Sequence, residues 1–414
     1  AAARTRDPVA KSFVALQRAA ILLSVGDPDG WNAVSDLPRG KTASIEEKVQ
    51  LLRGYHNLSI VTLGLGHYGH AEGFFAEACR LNDELEHVHW SPWLESTRIA
   101  LDWRFGRWDG LELRAHELMQ STLARPALSM GNQLMLGKLL LARGRVEEAE
   151  RTFQAALELA KPRRWMSTRV AASAWLARIR WARGEAQAAR ELVDLGLDAV
   201  RQKGNWVAAR ELPPVAVQVL LCAGMRDQAR NLAKDFAAGL RGRDAPAARA
   251  ASAFCNGILA EADGSHEAAG RLLGRADRLW RELPCPYDAA QAREVRARCL
   301  LAKHDTRSGD LLLDALETFD RLGARWDAGR VRATLRAQGL PARDLSRRGR
   351  RPYGNELSPR EAEVARLAGA GRKNREIAQA PFLSTRTLEV HVASALRKLG
   401  VHSRRELASA EMRS

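Results

Sequence analysis

Cysteine is scarce in this chain and nowhere arranged in pairs. Five are present in 414 residues (Cys79, Cys222, Cys255, Cys285 and Cys299), with no Cys-x-x-Cys spacing among them. That excludes a disulfide framework and a cysteine-built zinc site, and it fits a reducing, cytoplasmic compartment. Strand-forming aromatics are few (Tyr 4, Phe 9), whereas Ala, Leu, Arg and Glu abound, so the composition favours helices. Fifteen prolines and 32 glycines are too few for a collagen-like or wholly disordered chain. No apolar run is long enough for a membrane span. The longest stretch free of formal charge, residues 54–71, is broken by His56, Asn57, Ser59, Thr62, His67 and His70 and would not partition into lipid. Residues 1–6 carry no apolar signal-peptide core. They also lack an initiator Met, so upstream residues are expected.

Charge, by contrast, is plentiful and lopsided. The net charge is +16 with Lys and Arg totalling 65, of which only ten are lysine, a balance that suits a polyanionic partner. Residues 341–414 hold sixteen basic against eight acidic side chains, so half of the excess sits in the last 74 residues.

A regular beat runs through the rest. Leu140-Leu-Ala-Arg-Gly-Arg-Val-Glu-Glu-Ala-Glu150 reads as an apolar helix end, a glycine stop and a new helix opening on acids. Equivalent breaks fall at Gly66, Gly106, Gly144, Gly184, Gly224 and Gly264, at steps of 40, 38, 40, 40 and 40. One step back lands on Gly26, and one step forward on His304. Five residues past the breaks lie Ala71, Ala149, Ala189, Ala229 and Ala269, with Leu111 and Gly309 in the same slot. Glycine suits a helix end that must turn left-handed, and alanine lets two helices approach. Between breaks, apolar residues recur at steps of three and four, as in Val146, Ala149, Phe153, Ala156, Leu157 and Ala160, which predicts one buried stripe per helix. Helix pairs at fixed period make an α-solenoid, and the register resembles tetratricopeptide-type repeats. Eleven tryptophans are expected mainly as packing between helices. The repeats are expected to receive a small-molecule or protein effector on their concave face, with no particular ligand residue singled out.

The expected organisation is an all-α chain. A repeat domain spans 1–339, a linker rich in Pro, Gly and Arg spans 340–355, and a small four-helix domain spans 356–414. In the last, Ser358-Pro-Arg-Glu361 and Ser403-Arg-Arg-Glu406 are capping boxes. A short helix is expected over 374–380, a turn at Pro381-Phe-Leu-Ser384, and a third helix from Thr385 to Leu399 with Leu388, Val392, Leu396 and Leu399 inward.

Four segments here resemble the LuxR-type (GerE-like) DNA-binding domain: Leu357-Ser-Pro-Arg-Glu, Asn374-Arg-Glu-Ile-Ala, Phe382-Leu-Ser-Thr-Arg-Thr-Leu-Glu-Val-His391 and Leu396-Arg-Lys-Leu-Gly-Val-His-Ser-Arg-Arg-Glu-Leu407. The whole is similar to the C-terminal part of large MalT-like LuxR regulators, in which an ATPase module precedes helical repeats and this domain. The resemblance implies that the third helix enters the major groove of double-stranded DNA. It also implies that the last helix pairs two protomers into a homodimer on DNA, and that the protein activates a biosynthetic or catabolic operon. Opposite the expected buried stripe lie Thr385, Arg386, Glu389, Val390, Ala393 and Arg397, the candidate base-facing set. Lys373, Asn374, Arg386, Thr387 and Lys398 are candidate phosphate contacts. Two positions depart from the family pattern: Pro381 stands where Leu is usual, and Lys373 where Ser or Thr is favoured.

No catalytic constellation appears. Arg39-Gly-Lys-Thr42 lacks the first glycine of a phosphate loop, because position 35 is Ser, and Pro38 interrupts it. His67, His70, His87 and His89 lack the further ligands of a zinc site. Neither an enzyme activity nor a bound cofactor or metal is expected. The rival reading is a helical-repeat scaffold whose C-terminal helices bind protein instead of DNA.

Overall fold

Each break in the forty-residue beat is a left-handed residue closing a helix. The computed structural model describes residues 8–37, 44–86, 88–122, 125–160, 165–340, 357, 359–369, 385–401, 403 and 406. Within it, Gly26, Gly66, Gly106, Gly144, Gly184, Gly224 and Gly264 all have φ between 69° and 101°. At each the following amide donates to the carbonyl five residues back, as in Arg145 N to Leu140 O at 2.9 Å and Ser265 N to Ala260 O at 2.9 Å. That bond marks the Schellman helix end. The eighth break keeps the geometry without glycine: His304 has φ 55°, and Asp305 N donates to Leu300 O at 3.1 Å.

The described elements are all helical, and the alanine slots behave as their size predicts. Ala71, Ala149, Ala189, Ala229 and Ala269 are each fully buried, as is Leu111; Gly309 is half-buried. Pairs such as Ile45–Leu65 with Tyr68–Glu84, Pro126–Ala142 with Val146–Ala160, and Pro246–Ala262 with His266–Glu282 pack side by side. In the second helix of a pair the burial follows one stripe: Ala149, Phe153, Ala156, Leu157 and Ala160 are inside, while Val146 is half-buried. The first helix is enclosed nearly all round. In Pro126–Ala142 every residue from Leu139 to Ala142 is buried, together with Asn132, Gln133 and Lys138.

The chain forms two compact units, Ala1–Arg107 with Leu118–Ala342, and Trp108–Glu117 with Arg343–Ser414. In the first, the inner helices come back on themselves. Ile45–Leu65 packs against Pro246–Ala262, Ser91–Phe105 against Pro286–Leu301, and Pro126–Ala142 against Arg325–Ala337. Each partner lies five helix pairs further along, so one superhelical turn takes about five pairs. The breaks meet the next turn at the same interval. Gly66 sits against Ala247, Gly106 against Pro286, and Arg143, next to the Gly144 break, against Gly323, each about 180 residues apart.

In the second unit, Pro359–Gly369 and Thr385–Leu399 pack on each other. The linker, the segment Lys373–Ala380 with Pro381, and Arg39–Thr42 with His87 lie outside the described residues.

Candidate nucleic-acid interface and a cavity in the repeats

The C-terminal helices carry their own small core. Val364, Ala365, Leu367 and Ala368 of the first meet Val392 and Ala395 of the second, with Leu357, Leu396, Leu399 and Val401 packed around them. Burial of Val392 and Ala395 fixes the rotation of Thr385–Leu399. One turn apart on another face, Ala393 and Arg397 are exposed, as the 3.6-residue period requires. Ser403 Oγ donates to Glu406 Oε1 at 2.6 Å, so the second capping box is joined side chain to side chain.

The expected DNA-contacting residues therefore divide into three groups. Ala393 and Arg397 share the exposed face, and Lys398 is half-buried beside it. Thr385, Arg386, Thr387, Glu389 and Val390 lie on the same helix, N-terminal to that pair, and their side chains are outside the described residues, as is that of Leu388. Lys373 and Asn374 are outside altogether. The sequence stripe anticipated Val392, Leu396 and Leu399 inside but not Ala395, which is 0% exposed. Alanine carries so little apolar signal that only the packing reveals it.

A second feature lies in the repeat unit, where sequence analysis named no residue. A cavity of about 580 Å³ opens among the inner helices, within the usual range for small-molecule sites. Trp103, Trp175, Trp181, Trp280 and Trp326 line it, with Phe254 and Tyr287. Trp103, Trp175 and Trp280 are buried as well, so the expectation of packing describes them only in part.

Five guanidinium groups and three carboxylates also line this cavity. Glu211 accepts from Arg104 Nη2 at 2.6 Å, Lys138 Nζ at 2.9 Å and Trp175 Nε1 at 2.8 Å. Burial alone would push the Glu211 carboxyl up, but Lys138, Arg104 and Arg210 outweigh it and hold the group well below the usual carboxylate range. Glu294 accepts from Nε and Nη2 of Arg330, both at 2.6 Å. Behind the wall, Asp327 is fully buried and accepts from Arg178 Nη2 at 2.8 Å, Arg330 Nη2 at 2.9 Å and the Tyr287 hydroxyl at 2.8 Å. Asp288 is less well held: its one ion pair among the described residues is with Arg104 Nη1 at 3.5 Å, and burial pushes its carboxyl up.

Two arginines stand apart from these pairings. The Arg298 guanidinium makes no hydrogen bond or ion pair among the described residues, and its Nε is buried without a partner. Arg210 donates through Nη1 to the Gly64 carbonyl, yet its Nε is likewise buried and unpartnered.

Among the described residues no three His, Cys, Asp or Glu side chains come together as a metal site. His67 instead lies 3.0 Å from Asp244 through Nε2 and edge-on to Trp31. All five cysteines are free thiols. No described helix is long and apolar enough to cross a membrane.

Residues 355–410 match the family described as bacterial regulatory proteins, luxR family. A protein of Mycobacterium bovis named as an HTH-type transcriptional regulator is 30% identical over 236 residues, 56% of this chain and 25% of its own. A counterpart in Mycobacterium tuberculosis matches equally. The response regulatory protein YgeK of Escherichia coli is 41% identical over 59 residues, 14% of this chain and 40% of its own. The chain thus matches a quarter of the length of its mycobacterial relatives. Among solved structures, a Rap protein complexed with competence and sporulation factor superposes with a TM-score of 0.51 at 12% identity, covering 89% of this chain and 98% of that one. At that identity the likeness is one of fold.

Proposed function

We propose, from the premise that residues 355–410 are a helix-turn-helix domain of the luxR family, that this chain is a transcriptional regulator binding duplex DNA through the helix Thr385–Leu399. The observation that carries the reading is the rotation of that helix. Val392 and Ala395 are buried, which leaves Ala393 and Arg397 outward, and an α-helix with one face free fits the major groove. Thr385, Arg386, Glu389 and Val390 precede that pair on the same helix and extend the base-facing set. Lys373, Asn374, Arg386, Thr387 and Lys398 supply phosphate contacts. The net charge of the C-terminal residues supports such a role. Two protomers pair through the last helix and grip half-sites about one helical turn apart. The repeats receive a signal and govern that pairing, in the cytoplasm, and the regulated operon is activated.

A gel-shift titration with salt tests this. Affinity for duplex DNA falls steeply as salt rises, and Arg386→Ala with Lys398→Ala lowers the logarithmic salt slope by about one for each phosphate no longer neutralised. A shift that ignores salt, or none, favours a protein-binding scaffold.

A further inference from the structure

We propose that the cavity in the repeat unit binds an aromatic carboxylate, a planar apolar body of one or two rings bearing a single negative charge. The identity of the ligand rests on the reading that the repeats receive a signal, but its binding is measurable without DNA.

The cavity has donors left over but no acceptors. Its acceptors are already engaged. Glu211 takes three donors, Glu294 is clasped by both arms of Arg330, and Asp288 faces Arg104. A cationic ligand would find no free carboxylate pair. The donors are not exhausted. Five arginines against three carboxylates leave the lining with two positive charges in excess, and behind it Lys138, paired with Glu211, and Asp327, paired with Arg178 and Arg330, cancel in that balance. Arg298 and Arg210 are the surplus, each with a buried Nε lacking a partner. A guanidinium that no wall carboxylate has claimed keeps donors for a ligand oxygen, and a charge-assisted hydrogen bond there is stronger than a neutral one. Arg210 is part-occupied by the Gly64 carbonyl, whereas the Arg298 guanidinium has neither a hydrogen bond nor an ion pair among the described residues. One free guanidinium matches one carboxylate.

The walls select the rest of the ligand. Half-buried Trp181 and Trp326 face the same space as Trp175 and Phe254. Arg178 lies over the rings of both Trp175 and Trp326, at 5.3 and 4.8 Å from their centroids, which holds these indoles in place. Flat indole faces offer a flat aromatic partner offset-stacked or edge-to-face contacts beyond the burial of its area. Charge and shape thus point to one class.

Calorimetric titration of the full chain, free of DNA, decides the matter with three sets of probes. These are indole-3-acetate and 2-naphthoate, their uncharged amides, and the corresponding amines. The carboxylates are expected to bind saturably, and the amides about tenfold more weakly or worse, since one charge-assisted hydrogen bond is removed. Arg298→Gln is expected to bring carboxylate affinity down to that of the amide and to leave the amide unchanged. If that variant does not fold, as judged by helical circular dichroism, Arg298→Lys and the wild-type ratio of carboxylate to amide serve instead. Equal affinity for carboxylate and amide, preference for the amine, or no saturable binding by any probe would overturn the proposal. The gel-shift result stands apart from it, because a regulator that binds DNA but none of these probes refutes only the ligand.

Discussion

A methyl group placed on Gly66 would lie 2.7 Å from the backbone nitrogen of Ala247, one superhelical turn away. Gly144 has the same left-handed backbone but open space around it. The two glycines therefore separate backbone strain from close approach. Gly144→Ala is expected to cost about 1 kcal/mol, the penalty of a left-handed alanine. Gly66→Ala should exceed it by at least about 1 kcal/mol from overpacking. Urea unfolding of both variants measures the difference, and equal costs would mean the turns do not touch there.

The converse substitution acts at His304. Its side chain is exposed, and its φ of 55° is a conformation glycine adopts without strain. His304→Gly should stabilise the repeat unit by about 1 kcal/mol, seen as a higher thermal midpoint. A lower midpoint would show that the imidazole makes a contribution of its own.

Glu211 joins elements distant in sequence through Arg104 and Lys138, whose side chains are 8% and 7% exposed. Glu211→Gln leaves both cations without their shared anion, at a cost on the order of 3 kcal/mol near neutral pH. Because the folded carboxyl is depressed, its contribution is full above the unfolded value of about 4.3 and disappears as pH falls through the folded value. The gap between wild type and variant should thus narrow in acid and stay open from pH 5 to 8. A gap independent of pH from 2 to 8 would contradict the ion-pair account.

Two alanines two positions apart test the orientation of the C-terminal helix. Ala395 is 0% exposed and Ala393 is exposed. Ala395→Leu should destabilise the small unit by about 1–3 kcal/mol. Ala393→Leu should leave the melting curve unchanged and alter only DNA binding. The opposite pattern in paired melting and gel-shift experiments would mean the helix is rotated the other way.

Much of this architecture is legible in the amino-acid sequence, and the reasons are local. A glycine that must take positive φ announces itself every forty residues, and Phe153 with its neighbouring alanines marks a one-sided helix. The inner helices were harder to read: Pro126–Ala142 is buried nearly all round, so its hydrophobic residues keep no period. In the C-terminal unit the buried face was foreseen at Val392 but not at Ala395. The cavity was invisible because its parts come from distant segments. Arg104 and Glu211 are 107 residues apart and Arg178 and Asp327 are 149 apart, and no spacing rule joins them. The tryptophan count was the one available hint.

The return of the inner helices after five pairs makes this array non-modular. In an open rod of repeats, excising forty residues merely shortens the rod. Here, deleting one unit between Gly66 and Ala247 would slide every later segment by a whole step, and Gly66 would confront Tyr287 where Ala247 belongs. Each cross-groove partner would be exchanged for its neighbour's at once, so natural shortening of this chain by single units is to be expected only outside the wound portion.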